Sequence, residues 1–350
     1  MILRIFKLML LFCFLLSTTC KNNNPVNSTE AEQKSYYLYV GNQTDHEVYI
    51  VDTASNVVVD TLRWFSGDVW DVTPTNNGEK LYVITRGSSR SGPGKVCSVD
   101  LQTRTPSVIW DDIAADVFTA PNGKIFIIAY VPRSDDAYLG TIDPFTDTIA
   151  FFDTLDIRNT LSNHQAVVFD PNGPLMYTVN NDDRLFAYDY DKKEVVRTYE
   201  NIYIPRRMAI SPDGKYLYVA GGPVVDLENG EAIAGVGGNV LGSLALSPDG
   251  ELLYITDPGK YFHGLSNPSG KVFVYNTRTH QYVGEIDVLK KLPSGRSRRT
   301  DWIALMPDGQ TAYVCNFGRL IFIIDLQVRE VREIIEFPPF IVLIALGIKP

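Results

Sequence analysis

Ser211-Pro212-Asp213-Gly214-Lys215-Tyr216-Leu217-Tyr218-Val219 returns as Ser247-Pro248-Asp249-Gly250-Glu251-Leu252-Leu253-Tyr254-Ile255, and this unit decides the fold. Proline pre-sets φ at the first turn position, Asp tolerates the second, and Gly supplies a positive φ at the third, so each copy predicts a tight turn between antiparallel strands. Related turns stand at Asn76-Asn77-Gly78, Pro121-Asn122-Gly123, Pro171-Asn172-Gly173 and Pro307-Asp308-Gly309. A short apolar strand precedes each turn, as in Met208-Ala209-Ile210, Leu244-Ala245-Leu246 and Ile303-Ala304-Leu305, and an aromatic-rich one such as Lys80-Leu81-Tyr82-Val83 follows. The small residues Ala209, Ala245 and Ala304 recur where first strands are expected to crowd around an axis.

A third strand then alternates in character and ends on an acid or amide: Asp52, Asp100, Asp143, Asp189, Asp226, Asn276 and Asp325, 37 to 50 residues apart. A turn and a fourth strand such as Val283-Gly284-Glu285-Ile286 complete the unit. Four antiparallel strands per repeat, seven times over, predict an all-β chain built as a seven-bladed β-propeller. The last blade is split between the chain ends. Leu346-Gly347-Ile348-Lys349-Pro350 matches Ile303-Ala304-Leu305-Met306-Pro307 without gaps, and the rest of that blade is Tyr36 to Asp60. Pairing the C-terminal strand with the N-terminal blade closes the ring and removes its free edge.

The strands Tyr39-Val40-Gly41-Asn42, Tyr218-Val219-Ala220-Gly221 and Tyr313-Val314-Cys315-Asn316 resemble the YVTN-type seven-bladed β-propeller repeats of bacterial surface and periplasmic proteins, related to quinoprotein and lactonase-like propellers. The resemblance covers the chain from about residue 36 onward, with the third consensus letter replaced in all three copies and the fourth, Asn, replaced by Gly221 in one. It implies a fold and leaves the chemistry open, because function resides in sites placed on a scaffold.

Arg4 and Lys7 precede an apolar run from Leu8 to Leu16, and small polar residues lead from there to Cys20. This is the layout of a secretory leader over residues 1–19, too short to span a bilayer comfortably. Leu16-Ser17-Thr18-Thr19-Cys20 resembles a bacterial lipobox, with Cys20 acylated; a simple signal peptide is the alternative. Residues 20–35 read as a polar tether and 36–350 as the propeller. Without Arg4 and Lys7 the formal charge falls from −9 to −11, which disfavours nucleic-acid binding. The basic stretch Lys290-Lys291 with Arg296, Arg298 and Arg299 reads as a solvated or partner-facing loop. Cys97 and Cys315 fall on blades two steps apart, which predicts two buried free thiols and no disulfide, and no Cys/His spacing suggests a metal or haem.

Strand alternation puts the Pro-Asp-Gly turns and the repeated Asp turns on one end of the propeller. The repeated carboxylates are expected to accept backbone N–H groups in Asx turns. The other end carries unequal loops, Arg86 to Lys95, Arg133 to Asp136, Asn180 to Arg184, Asp257 to Gly270 and Lys290 to Asp301, and binding is expected there. Candidate ligand-binding residues are Trp70, His164, Arg206, Arg207, Tyr261, His263, Arg299, Asp301 and Trp302, a mixture suited to a polar or anionic ligand held by Arg and walled by aromatics. Trp70 and Trp302 could equally be wedges between blades, and His164 a loop cap. Arg206 and Arg207 are neighbours on an extended segment, so only one can face the axis.

These features predict a non-enzymatic, lipid-anchored, monomeric propeller of a bacterial envelope. It would use no cofactor and bind a small molecule, glycan or envelope protein, with membrane contact through the anchor only. The resemblance also implies alternatives, a lactone hydrolase, a quinoprotein-like dehydrogenase subunit, or a structural surface-layer component. For catalysis only His164, Asp301 and Asp68 offer themselves, without diagnostic spacing.

Overall fold

In a computed structural model of the chain, each acid or amide that ends a third strand builds the same turn. The side-chain oxygen Oδ1 accepts backbone N–H groups two or three residues on: Ala54 to Asp52 (2.8 Å), Thr103 to Asp100 (2.7 Å), Phe145 to Asp143 (2.8 Å), Lys192 to Asp189 (2.9 Å), Glu228 to Asp226 (2.9 Å), Arg278 to Asn276 (3.0 Å) and Gln327 to Asp325 (2.9 Å). Four residues after each, the backbone turns left-handed: Asn56, Arg104, Asp147, Lys193, Gly230, His280 and Arg329 all have φ between 55° and 81°. The Pro-Asp-Gly turns behave as expected, with Gly78, Gly123, Gly214, Gly250 and Gly309 at φ of 70° to 83°. Gly173 departs from the expectation and has no positive φ; Pro174 follows it, and a residue before proline is held in extended conformations.

The structure describes residues 34–86, 94–130, 137–155, 167–179, 184–199, 202, 207–238, 240, 242–259, 268–290, 292, 299–316 and 318–350. The leader and Cys20 lie outside them. The chain begins with β1 (Tyr36–Asn42), β2 (Glu47–Asp52) and β3 (Val57–Leu62). Blade 1 is β4 (Asp68–Pro74), β5 (Lys80–Arg86), β6 (Gly94–Asp100) and the first part of β7 (Thr105–Thr119). The rest of β7 opens blade 2, followed by β8 (Ile125–Tyr130), β9 (Ala137–Asp143) and β10 (Thr148–Leu155). Blade 3 is β11 (Val167–Phe169), β12 (Leu175–Val179), β13 (Leu185–Asp189) and β14 (Glu194–Tyr199). Blade 4 is β15 (Met208–Ile210), β16 (Tyr216–Val219), β17 (Pro223–Asp226) and β18 (Glu231–Gly235). Blade 5 is β19 (Leu244–Leu246), β20 (Leu252–Thr256), β21 (Lys271–Asn276) and β22 (Gln281–Asp287). Blade 6 is β23 (Trp302–Leu305), β24 (Thr311–Cys315), β25 (Gly318–Asp325) and the first part of β26 (Glu330–Ile348).

The ring closes as expected. The end of β26 pairs antiparallel with β1, setting Ile348 opposite Tyr36, Leu346 opposite Leu38 and Ile344 opposite Val40, and with β2 and β3 it completes blade 7. Two connections are continuous strands that leave one blade and enter the next. In β26 the switch falls at Pro338-Pro339, between Phe337 and Ile341, where the pairing with β25 jumps from Glu336 to Ile341. Proline lacks an N–H, so it fits where neither ladder needs a donor.

Seven apolar clusters fill the junctions, one between each pair of neighbouring blades; that at blades 7 and 1 joins Tyr39, Ile50 and Leu62 to Val72, Leu81 and Leu343. Polar groups also cross these junctions. The second-strand tyrosines reach the Asp turn of the next blade: Tyr82 Oη donates to Asp147 Oδ1 (3.3 Å), Tyr218 Oη to the Thr277 carbonyl (3.4 Å), and Tyr313 Oη to Asn56 Oδ1 (2.9 Å). Every blade carries a β-bulge between its third and fourth strands. Bulges there twist the outer edge, which exposes Val57, Val195, Tyr282 and Val283, away from edge-to-edge pairing.

Candidate functional site

Seven residues before each turn glycine, the repeat places one residue where the innermost strand begins, at the end opposite the Pro-Asp-Gly turns. That column reads Asp71, Asp116, Ala166, Arg207, Ser243 and Trp302, with Ala345 at the equivalent place in the split blade. Backbone periodicity fixes the positions, and the side chains differ in charge, size and aromaticity. Ala166 lies outside the described residues.

On one side of the ring, Arg86, at the end of β5, is 1% exposed. Its Nη2 is 3.4 Å from Asp116 Oδ1, and its guanidinium lies 4.5 Å from the centre of the Trp70 ring. Tyr130 Oη donates to the other oxygen of Asp116 (3.2 Å). Burial pushes the Arg86 guanidinium below its ordinary range, while Asp116, Tyr130 and Asp71 act in the opposite direction. Asp71 is buried, and its Oδ1 accepts the Val72 N–H (2.8 Å).

Across the ring, Arg207 of blade 4 reaches blade 6. Its Nη1 donates to the Asp301 carbonyl (2.9 Å), and its guanidinium lies 4.5 Å from the Trp302 ring. Burial lowers its basicity, and Asp301 opposes this. Arg299 forms an ion pair with the Asp301 carboxylate. Thr256 Oγ1 donates to the same Asp301 carbonyl (3.0 Å). Blade 5 contributes only small groups between these partners, Gly242 and the fully buried Ser243. Gly242 is required there: a Cβ would stand 1.6 Å from the Thr256 carbonyl oxygen.

Between the innermost strands lies a cavity of about 400 Å³. Blades 1, 2, 3, 6 and 7 line it, with Val72, Val117, Val167, Ile303 and Leu343 among the apolar walls, Phe118, Phe169 and Trp302 as aromatics, and Thr73, Asn76 and Thr119 as neutral polar groups. Thr73 Oγ1 donates to the Val117 carbonyl (2.9 Å) and Thr119 Oγ1 to that of Pro74 (3.0 Å), so both hydroxyl protons stitch blade 1 to blade 2. Asp71 is the one charged residue among the described lining.

Of the candidates read from sequence, Trp302 lines the cavity and also packs between the clusters of two junctions. Arg207, Arg299, Asp301 and Trp302 come together; Trp70 stands with Arg86 instead, its buried Nε1 without a hydrogen-bond partner among the described residues. His164, Arg206, Tyr261, His263 and most of the unequal loops lie outside the described residues. Sequence reasoning missed Asp71, Arg86, Asp116 and Tyr130. The signal for the two acids was the column itself, read seven residues back from each glycine; Arg86 and Tyr130, on second strands, gave none.

Cys97 and Cys315 are buried free thiols. Burial pushes Cys97 up to about 11 and Cys315 well above the usual thiol range, so neither is thiolate at neutral pH. Among the described residues no group of three His, Cys, Asp or Glu side chains is placed to hold a metal ion, and no helix is long and apolar enough to cross a membrane.

No known protein-family profile matches the chain. Over 173 residues, 48% of this chain, it is 29% identical to Antigen Lp49 of Leptospira interrogans serogroup Icterohaemorrhagiae serovar copenhageni (strain Fiocruz L1-130), and it spans 36% of that relative's length. The fold is similar to that of the dihydro-heme d1 dehydrogenase NirN in complex with DHE, at a TM-score of 0.57 and 17% identity over 86% of this chain and 63% of that one. Hydrazine synthase of Kuenenia stuttgartiensis is similar at a TM-score of 0.52 and 18% identity over 74% and 77% of the two chains. At these identities the likeness is one of fold.

Proposed function

We propose that this protein is a non-enzymatic, lipid-anchored propeller of a bacterial envelope that binds a small molecule on its axis, in the space between the innermost strands. The axial cavity carries the reading: about 400 Å³ bounded by the innermost strands of five blades falls within the roughly 300–1,000 Å³ of small-ligand pockets. In this reading residues 1–19 are a leader, 20–35 a tether beginning at acylated Cys20, and 36–350 a monomeric propeller that uses no cofactor. The Leptospira relative's name, an antigen, supports an envelope location. The enzymatic readings find less support, because the neighbours named as enzymes share the fold at 17% and 18% identity.

A ligand that binds only the folded state raises the melting temperature by mass action. Thermal-shift screening of small molecules is therefore expected to give hits on the native chain that vanish in Ala345→Phe, which fills the cavity from blade 7. Hits that persist unchanged in a folded Ala345→Phe protein would refute axial binding. Labelling with a clickable palmitate analogue should tag the native chain and not Cys20→Ala; equal labelling of both would overturn the anchor.

A further inference from the structure

Resting on the proposed axial site, we infer that its ligand is an uncharged, largely apolar compound whose polar groups are hydrogen-bond donors, an alcohol or phenol with its hydroxyls on one side. The expectation from the sequence alone is a polar or anionic ligand held by arginine, yet the described arginines of this region are engaged elsewhere. Arg207 meets the Asp301 carbonyl and the Trp302 ring, Arg299 the Asp301 carboxylate, and Arg86 Asp116 and the Trp70 ring. None of the three lines the cavity. Asp71, which does, is engaged within the protein: its Oδ1 accepts the Val72 N–H, and its charge acts on Arg86. This wall therefore calls for no charge on the ligand.

The neutral polar groups of the lining set the sense of the hydrogen bonds. Thr73 donates its hydroxyl proton to the Val117 carbonyl (2.9 Å), and Thr119 donates its own to that of Pro74 (3.0 Å). A hydroxyl has one proton and two lone pairs, so each of these oxygens, having donated, can only accept from a ligand. Asn76 Nδ2 donates to the Ala120 and Pro121 carbonyls (3.0 and 3.3 Å), which leaves its Oδ1, another acceptor, as the group it can offer. Pro74 has no N–H, and that of Val72 is spent on Asp71. Thr73, Asn76 and Thr119 all belong to blades 1 and 2, whereas blades 3, 6 and 7 meet the space with hydrocarbon and aromatic groups such as Val167, Phe169, Ile303 and Leu343. A compound that can only accept, an ether or a ketone, would set its lone pairs against those of blades 1 and 2, and both sides would lose water without gaining a partner. An O–H group satisfies them. The lining thus orients the ligand as well as choosing it, with hydroxyls toward blades 1 and 2 and the apolar side toward blades 3, 6 and 7.

The test is calorimetric titration of the purified full chain with 4-ethylphenol, its methyl ether 4-ethylanisole, and 4-ethylbenzoate. These probes share a body and differ at the polar end, which offers a donor, an acceptor alone, or a negative charge. The phenol is expected to bind about three- to tenfold tighter than the ether, the worth of one neutral hydrogen bond, and the benzoate not at all. Thr73→Val/Thr119→Val keeps the shape and removes both hydroxyl acceptors, so the preference for the phenol should disappear there while the ether still binds. Ether or benzoate binding as tightly as the phenol overturns the inference, and so does the absence of binding by any of the three; where such binding is lost in Ala345→Phe, the axial site stands all the same. A preference for the phenol that survives in a folded Thr73→Val/Thr119→Val protein also overturns the inference, since those hydroxyls are then not its source. Binding unchanged in a folded Ala345→Phe protein overturns the axial site itself. Should the double variant fail to fold, the order of the three probes on the native chain decides.

Discussion

Deleting Ile341 to Pro350 removes the innermost strand of the split blade, and the structure gives the size of the loss. Ile341 is 0%, Leu343 3% and Ile344 8% exposed. At about 1.5–3 kcal/mol for each fully buried aliphatic side chain, these three alone contribute about 5–9 kcal/mol. The ladder to β1 goes with them, and Leu38, Tyr39 and Val40, now fully buried, are left on an open edge. A whole domain is stable by only about 5–15 kcal/mol. The truncated chain should therefore fail to give a cooperative melt and should aggregate through the bare β1 edge. Leu343→Ala is the graded version: a cost of about 2–5 kcal/mol, or at roughly 2–4 °C per kcal/mol a fall of about 4–20 °C in melting temperature. Calorimetry with light scattering on both variants checks this. A truncated protein that melts cooperatively at the native temperature would refute ring closure through this strand.

Other substitutions probe the turns and the buried ions. Lys193 and Arg329 hold left-handed φ of 61° and 57°, so Lys193→Gly or Arg329→Gly should stabilise by up to about 1 kcal/mol in chemical denaturation; Gly230→Ala should do the reverse, because φ of 81° there is strained for any residue with a Cβ. Tyr313→Phe deletes the bond to Asn56 across the closing junction and should cost about 1 kcal/mol by urea titration. Arg86→Ala takes a cation away from the buried Asp116 and should cost about 3–5 kcal/mol by the same measure, with part recovered in Arg86→Ala/Asp116→Asn. Backbone N–H bonds hold the carboxyls of Asp52, Asp100, Asp189 and Asp226 below their usual range. A depressed folded value means stability that is present above the unfolded value, near 3.9, and lost as pH falls through the folded one, so melting temperature should drop on acidification below about pH 4 and little between pH 5 and 7. Asp226→Asn, which keeps the acceptor, should flatten its share of that slope.

The turns were legible because their chemistry is local. Asp or Asn at the strand end and Gly in the Pro-Asp-Gly turn each meet a demand set by residues at most a few positions away, so one copy explains all. Gly173 shows the limit, since its neighbour Pro174 overrides the pattern. The left-handed position after each Asp turn escaped notice because it is filled by Asn, Arg, Asp, Lys, Gly, His and Arg, with no residue type in common. The through-running strands were also unread: Pro338-Pro339 marks the change of partner inside β26. Cross-blade contacts such as Tyr82 to Asp147 or Arg86 to Asp116 join residues 65 and 30 positions apart, and no spacing within one repeat encodes them.

The two ends of the propeller obey different constraints. At the Pro-Asp-Gly end, each repeated side chain satisfies a backbone group of its own turn, so a substitution there is felt as lost stability. At the other end the column seven residues before each glycine is held in place by the same ladders, yet its side chains answer to no repeated backbone demand. That freedom explains how neighbouring blades carry Asp71, Asp116, Arg207, Ser243 and Trp302 at one position without disturbing the sheets. It also explains why the buried charges there come as mutually compensating sets, Arg86 with Asp116 and Arg299 with Asp301. Removing an ion pair from water costs several kcal/mol, which a ring built only to be stable would avoid by using apolar residues of the same size. The described wall of the axial cavity carries one charged residue, Asp71, in an otherwise apolar and neutral polar lining, and such an uneven lining is what orients a bound ligand.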